Sequence, residues 1–88
     1  MRLRDGENWV PNGPIRTAVV EAVARGEHTY SGLARALGWT GRGDVSRLKR
    51  RLGLAPDTNP RRRSRTMRRD IAVAVVNALG RDPVDFQL

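Results

Sequence analysis

With 88 residues, a formal net charge of +8 and no cysteine, the chain reads as one small basic domain without disulfides or thiolate metal sites. A chain of this length buries about 60–65% of the surface it exposes when unfolded, enough for a helical bundle but not for a large enclosed cavity. No apolar run approaches the ~18 residues of a membrane span, and the first residues lack the apolar core of a signal peptide, so a cytoplasmic protein is expected.

The first 13 residues are polar, with Gly6, Pro11 and Gly13, and read as an arm. Trp9 and Val10 are expected to cap the edge of the bundle as a staple on the first helix. That helix is predicted to start at Pro14, capped by Asn12 or Gly13, because proline loses no helical hydrogen bond in the first turn. Ile15, Val19, Ala22 and Val23 recur at the helical period, and Gly26 stops the run. The second helix is predicted over residues 31–37, with Thr29 or Ser31 at its cap and Leu33, Ala34 and Leu37 as its buried stripe. Gly38 follows, where a left-handed residue is needed.

The third helix is predicted from Asp44 to Leu52, with Asp44 as its cap. Val45, Leu48 and Leu52 form the core stripe, Gly53 ends the helix, and Leu54 can fold back over its last turn. A basic loop spans residues 55–65, and an apolar helix is predicted over residues 66–79, capped by Ser64 or Thr66 and ended by Gly80. The stretch Ile71-Ala72-Val73-Ala74-Val75-Val76 is apolar nearly all round and requires burial on more than one side. A short last helix starting at Asp82-Pro83 would lay Val84, Phe86 and Leu88 on the bundle. The expected fold class is all-α, a bundle of four to five helices, with residues 1–13 as the arm and residues 14–88 as the domain.

The charge is unevenly placed. Between Arg42 and Arg69 lie 11 basic residues and two acids, a net +9, whereas the rest of the chain sums to −1. The plainer explanation of such a run is a solvated basic surface. Here the run coincides with a pair of helices joined by a tight turn, which suits a polyanion. Sixteen of the 17 basic residues are arginine. The guanidinium fork suits phosphate and guanine, but a GC-rich coding bias has the same outcome, so this preference carries no weight.

The second and third predicted helices form a helix-turn-helix candidate at about residues 30–53. Ala34 sits where the two helices cross, Gly38 opens the turn, and Leu33, Leu37, Val45 and Leu48 lock the corner. Such a corner lets one helix cross the DNA backbone while the next enters the major groove. The segment Ser31-Gly32-Leu33-Ala34-Arg35-Ala36-Leu37-Gly38-Trp39 resembles the helix-2 signature of lambda-repressor-like, Cro-type DNA-binding domains. The tail Ala78-Leu79-Gly80-Arg81-Asp82-Pro83-Val84 is similar to the C-terminal element of that family. The resemblance covers roughly residues 14–88, and it implies a small repressor-like or Cro-like transcriptional regulator of a phage or mobile element that binds a palindromic site as a homodimer. The turn from Gly38 to Val45 is one residue longer than is usual in the family, with the extra residue in Gly41-Arg42-Gly43.

At about 100° per residue, the face of the third helix opposite its core stripe carries Arg50 with Ser46 and Arg47 beside it. Ser46, Arg47 and Arg50 are therefore expected to read base edges, with Arg42 at the helix start, since arginine bonds guanine bidentately. Lys49 and Arg51 flank the stripe and are expected on phosphates. Arg61, Arg62, Arg63 and Arg65 are expected to track phosphate or enter a minor groove, the alternative being a basic linker. Arg2 and Arg4 suggest a second arm. Tyr30 is a further phosphate contact to consider, and Trp39 reads as a core anchor.

Nothing in the chain suggests catalysis, a metal or a cofactor, and no small-molecule substrate is expected. His28 is the sole histidine and reads as a turn residue; the acids form no metal or acid–base set, and Gly41-Arg42-Gly43 is no phosphate-binding loop. The expected partners are double-stranded DNA and a second copy of the chain, docked through the apolar helix or residues 84–88. Three other readings stay open: an excisionase-like, architectural or packaging DNA-binding factor; an antitoxin-type protein-interaction module; and an RNA-binding protein that orders its arginine-rich loop on RNA.

Overall fold

The computed structural model describes residues 8–54 and 65–88. Along the described chain run β1 (Trp9–Pro11), α1 (Gly13–Ala24), α2 (Tyr30–Ala36), α3 (Asp44–Leu52), β2 (Thr66–Arg68), α4 (Arg69–Ala78) and a 3₁₀ turn (Pro83–Phe86). The fold is thus mostly helical, but the all-α expectation needs correction. β1 and β2 pair antiparallel, Trp9 opposite Arg68, Val10 opposite Met67 and Pro11 opposite Thr66. Part of the expected arm is therefore a strand, and so are the first residues of the expected apolar helix, which begins at Arg69. The physical reason is a side-chain alternation too short to stand out. Val10 and Met67 point into the core, while the residues on either side of each point out.

The core is one cluster to which every element contributes: Val10 and Met67 from the ribbon, Ile15 and Val19 from α1, Leu33 and Ala34 from α2, Leu48 and Leu52 from α3, and Ala72, Val75 and Val76 from α4. The 3₁₀ turn adds half-buried Phe86, and Leu88 follows it. Val84 was expected on the bundle but is 72% exposed. In the 3₁₀ turn the side chain of Asp82 accepts from the Val84 N–H at 3.0 Å, so the backbone there is spent on the turn.

Local chemistry accounts for the helix ends. Thr29 caps α2, its Oγ1 accepting from the Gly32 N–H at 2.9 Å. α3 spans the expected nine residues, but its cap differs. Gly43, at φ 87°, occupies the capping position, and Asp44 instead turns Oδ2 back to accept from the Gly41 N–H at 2.9 Å. Gly41 is thereby tied to the helix it precedes. At the other end Gly53 N–H donates to the Arg50 oxygen (3.1 Å) and Leu54 N–H to the Lys49 oxygen (2.7 Å), which is a Schellman closure and leaves Leu54 folded onto the core as expected.

Candidate nucleic-acid interface

The candidate surface is built on α3. Leu48 and Leu52 are 0% exposed and pin one side of the helix to the core. Val45 packs half-buried beside them. The remaining positions sort by the helical period. Ser46, Arg47, Arg50 and Arg51 are exposed, and Lys49 is half-buried. The three side chains assigned to base reading thus lie together on the solvent side of one rigid helix. Arg42 is exposed on the turn that leads into it.

Tyr30, the first residue of α2, and Trp39, in the turn that follows it, engage cations of α3. The Arg47 guanidinium lies 4.2 Å from the centroid of the Trp39 ring. The Lys49 ammonium lies 4.7 Å from the centroid of the Tyr30 ring. Both rings are half-buried against the core cluster. Such contacts restrict the rotamers of the cations and leave their hydrogen-bonding edges available. Trp39 is therefore both a packing residue and the platform under Arg47. Tyr30 lies under a lysine, which turns Lys49 toward α2 and away from the centre of the exposed face.

The C-terminal end of α3 is held by α1. Asn12 Nδ2 donates to the Arg51 main-chain oxygen at 3.1 Å. Arg16 Nη1 donates to the Leu52 oxygen at 3.4 Å. The last carbonyls of a helix have no partner within it, so these donors fill a real vacancy, and the Arg16 charge also opposes the negative end of the helix dipole. Arg65 is exposed at the start of the ribbon, and its main-chain oxygen accepts from the Asn12 N–H at 3.1 Å. Arg51 and Arg65 are thereby brought to one place, although they stand far apart in the sequence. Arg61, Arg62 and Arg63, with Arg2 and Arg4, lie outside the described residues.

No family model, no curated protein and no solved structure matches the chain. The site must therefore be read from its own chemistry.

That chemistry is cationic, planar and exposed. Among the described residues, no three histidine, aspartate or glutamate side chains are placed to hold a metal ion, and no helix is long and apolar enough to cross a membrane. The acids of this surface serve the backbone: Asp44 holds the turn before α3. Asp70 pairs with Arg68 at 3.2 Å, with both side chains well exposed, where such pairs contribute little. Sequence reasoning missed the two cation–π platforms and the Asn12 bridge. An aromatic residue at each end of a helix next to a basic helix is the only sequence signal that points to the former.

Proposed function

We propose that the chain is a double-stranded DNA-binding protein in which α2, the turn of residues 37–43 and α3 act as a helix-turn-helix, with α3 as the recognition helix. The observation that carries this reading is the geometry of α3. Its core contact is confined to Leu48 and Leu52, with Val45 beside them, which leaves Ser46, Arg47 and Arg50 on one exposed face. Arg47 is oriented by Trp39 before any ligand arrives. A helix with its bulk docked and its arginines free suits the major groove, where the guanidinium fork matches the O6 and N7 of guanine. Arg42 joins this face at the helix start, and Arg51 and Arg65 supply phosphate contacts.

The biological role proposed is that of a sequence-specific, non-enzymatic regulator of the Cro or repressor kind, bound as a homodimer because one short helix reads few base pairs. α4 is spent on the core, with Ala72, Val75 and Val76 at 0% exposure. Among the described residues Val84, beyond it, is the large apolar residue left most open, so residues 84–88 take precedence over α4 as the dimer contact. Selection of bound sequences from random duplex DNA tests the role. A palindromic consensus is expected, and Arg47→Ala should relax one position in each half-site.

One observation favours a second reading. Arg65, Arg68 and Arg69, on the ribbon and the first turn of α4, are exposed as the arginines of α3 are. A basic surface that extends past the recognition helix is what a DNA-bending or packaging factor uses. A circular-permutation assay separates the two: a strong bend without a consensus favours the architectural role.

A further inference from the structure

Asn12 stands at the cap of α1, where an asparagine ordinarily turns its side-chain oxygen onto the free N–H groups of its own helix. It makes no such bond. Its side chain is 1% exposed, and its amide points across the molecule to the Arg51 carbonyl in the last turn of α3. Its main-chain N–H reaches the Arg65 carbonyl at the entrance to β2. One buried residue therefore ties together the backbones from which two exposed arginines project. A buried amide costs stability unless it is bonded, and an apolar side chain of similar size would leave the Arg51 carbonyl without this donor. What the amide adds is direction, because it accepts only one placement of the α3 terminus relative to the ribbon.

We propose that Asn12 is a positioning residue that sets the separation of Arg51 and Arg65, so that both side chains meet phosphates of one bound duplex while Asn12 itself touches no ligand. This inference rests on the duplex-binding reading of α3. The neighbouring donor, Arg16 on the Leu52 carbonyl, secures only the helix. Asn12 adds a polar tie between helix and ribbon to the packing of Leu48 and Leu52 in one core with Val10 and Met67. A merely structural role predicts something different: loss of stability, with every DNA contact weakened alike.

A double-mutant cycle separates the two. In the parent protein Arg65→Gln should weaken duplex affinity by about tenfold at low salt, as one lost phosphate contact does. In the Asn12→Ala background, where the main-chain bond to Arg65 remains but the α3 terminus loses its side-chain tie to residue 12, the same substitution should change affinity by less than about twofold. Equal losses in both backgrounds overturn the proposal, and so does an Arg65→Gln variant that binds like the parent; neither touches the reading of α3. Should Asn12→Ala reduce the folded fraction, Asn12→Ser replaces it, being polar but too short to reach Arg51. A second arm needs no DNA. The chain has no cysteine, so Arg51→Cys/Arg65→Cys accepts a pair of spin labels. Their distance distribution should be narrow with Asn12 in place and clearly broader with Asn12→Ala. A distribution that stays narrow overturns the proposal even if the duplex-binding reading fails in the parent.

Discussion

α3 and α4 are of similar length, nine and ten residues, and use their surfaces in opposite ways. α3 buries Leu48 and Leu52 and leaves Ser46, Arg47, Arg50 and Arg51 exposed. α4 buries Ala72, Val75 and Val76, half-buries Ile71, Val73, Ala74 and Ala78, and leaves only Arg69, Asp70 and Asn77 exposed. The first helix is held by a narrow stripe and by donors at its C-terminal end, the second by nearly its whole circumference. The difference teaches that α3 is fixed in place without being used up. Substitutions on α4 should register as stability alone, whereas α3 should divide cleanly into residues that fold the protein and residues that bind.

The largest effect expected is on that dividing line. Leu48→Ala should destabilise the protein by about 2–5 kcal/mol, as a deleted fully buried leucine side chain does, measured by urea unfolding. Val75→Ala should cost less, about 1–3 kcal/mol, since fewer atoms leave the core. If Leu48→Ala unfolds no more easily than an exposed variant, the docking of α3 is wrong. Next come the exposed arginines. Arg47→Ala or Arg50→Ala should lose about 1–3 kcal/mol of binding to a selected duplex and no more than ~0.5 kcal/mol of stability. The reverse pattern would break the comparison.

Smaller effects sharpen it. Gly43 holds φ 87° at the cap of α3, with open space where a Cβ would go. Gly43→Ala should therefore cost about 1–2 kcal/mol through backbone conformation and not through a clash, read as a lowered Tm. Smallest is the Arg47 platform. Trp39→Leu keeps an apolar side chain against the core but removes the ring under Arg47, and should weaken duplex binding by about 0.5–1 kcal/mol. In an Arg47→Ala background the same change should have no further effect on binding.

Much of this comparison was legible in the sequence. The bounds of α3 follow from Val45, Leu48 and Leu52 at helical spacing and from Gly53, and its exposed face follows from the same period. The ribbon was not legible. A strand of three residues gives alternation no room to show, Pro11 argues against one, and its partner lies beyond three helices. The helix expected from residue 66 failed for that reason: Met67 is apolar enough to continue the run but is claimed by Val10. Local chemistry points to Asn12 or Gly13 at the cap of α1, and Asn12 does stand there, but the bond its side chain makes to Arg51 depends on a tertiary partner that no local pattern encodes. Trp39 was seen as a core residue, which is half of what it does, and Arg47 stacked on it is a tertiary contact of the same kind.

The contrast between α3 and α4 is also the most direct test of the proposed function. Backbone amide shifts should be followed by NMR while a duplex selected by the protein is added. The largest changes are expected across residues 41–51 and at Arg65, with α4 and Pro83–Phe86 nearly unmoved at each step. Changes centred on α4, or none across residues 41–51 once the duplex is bound, would contradict that reading.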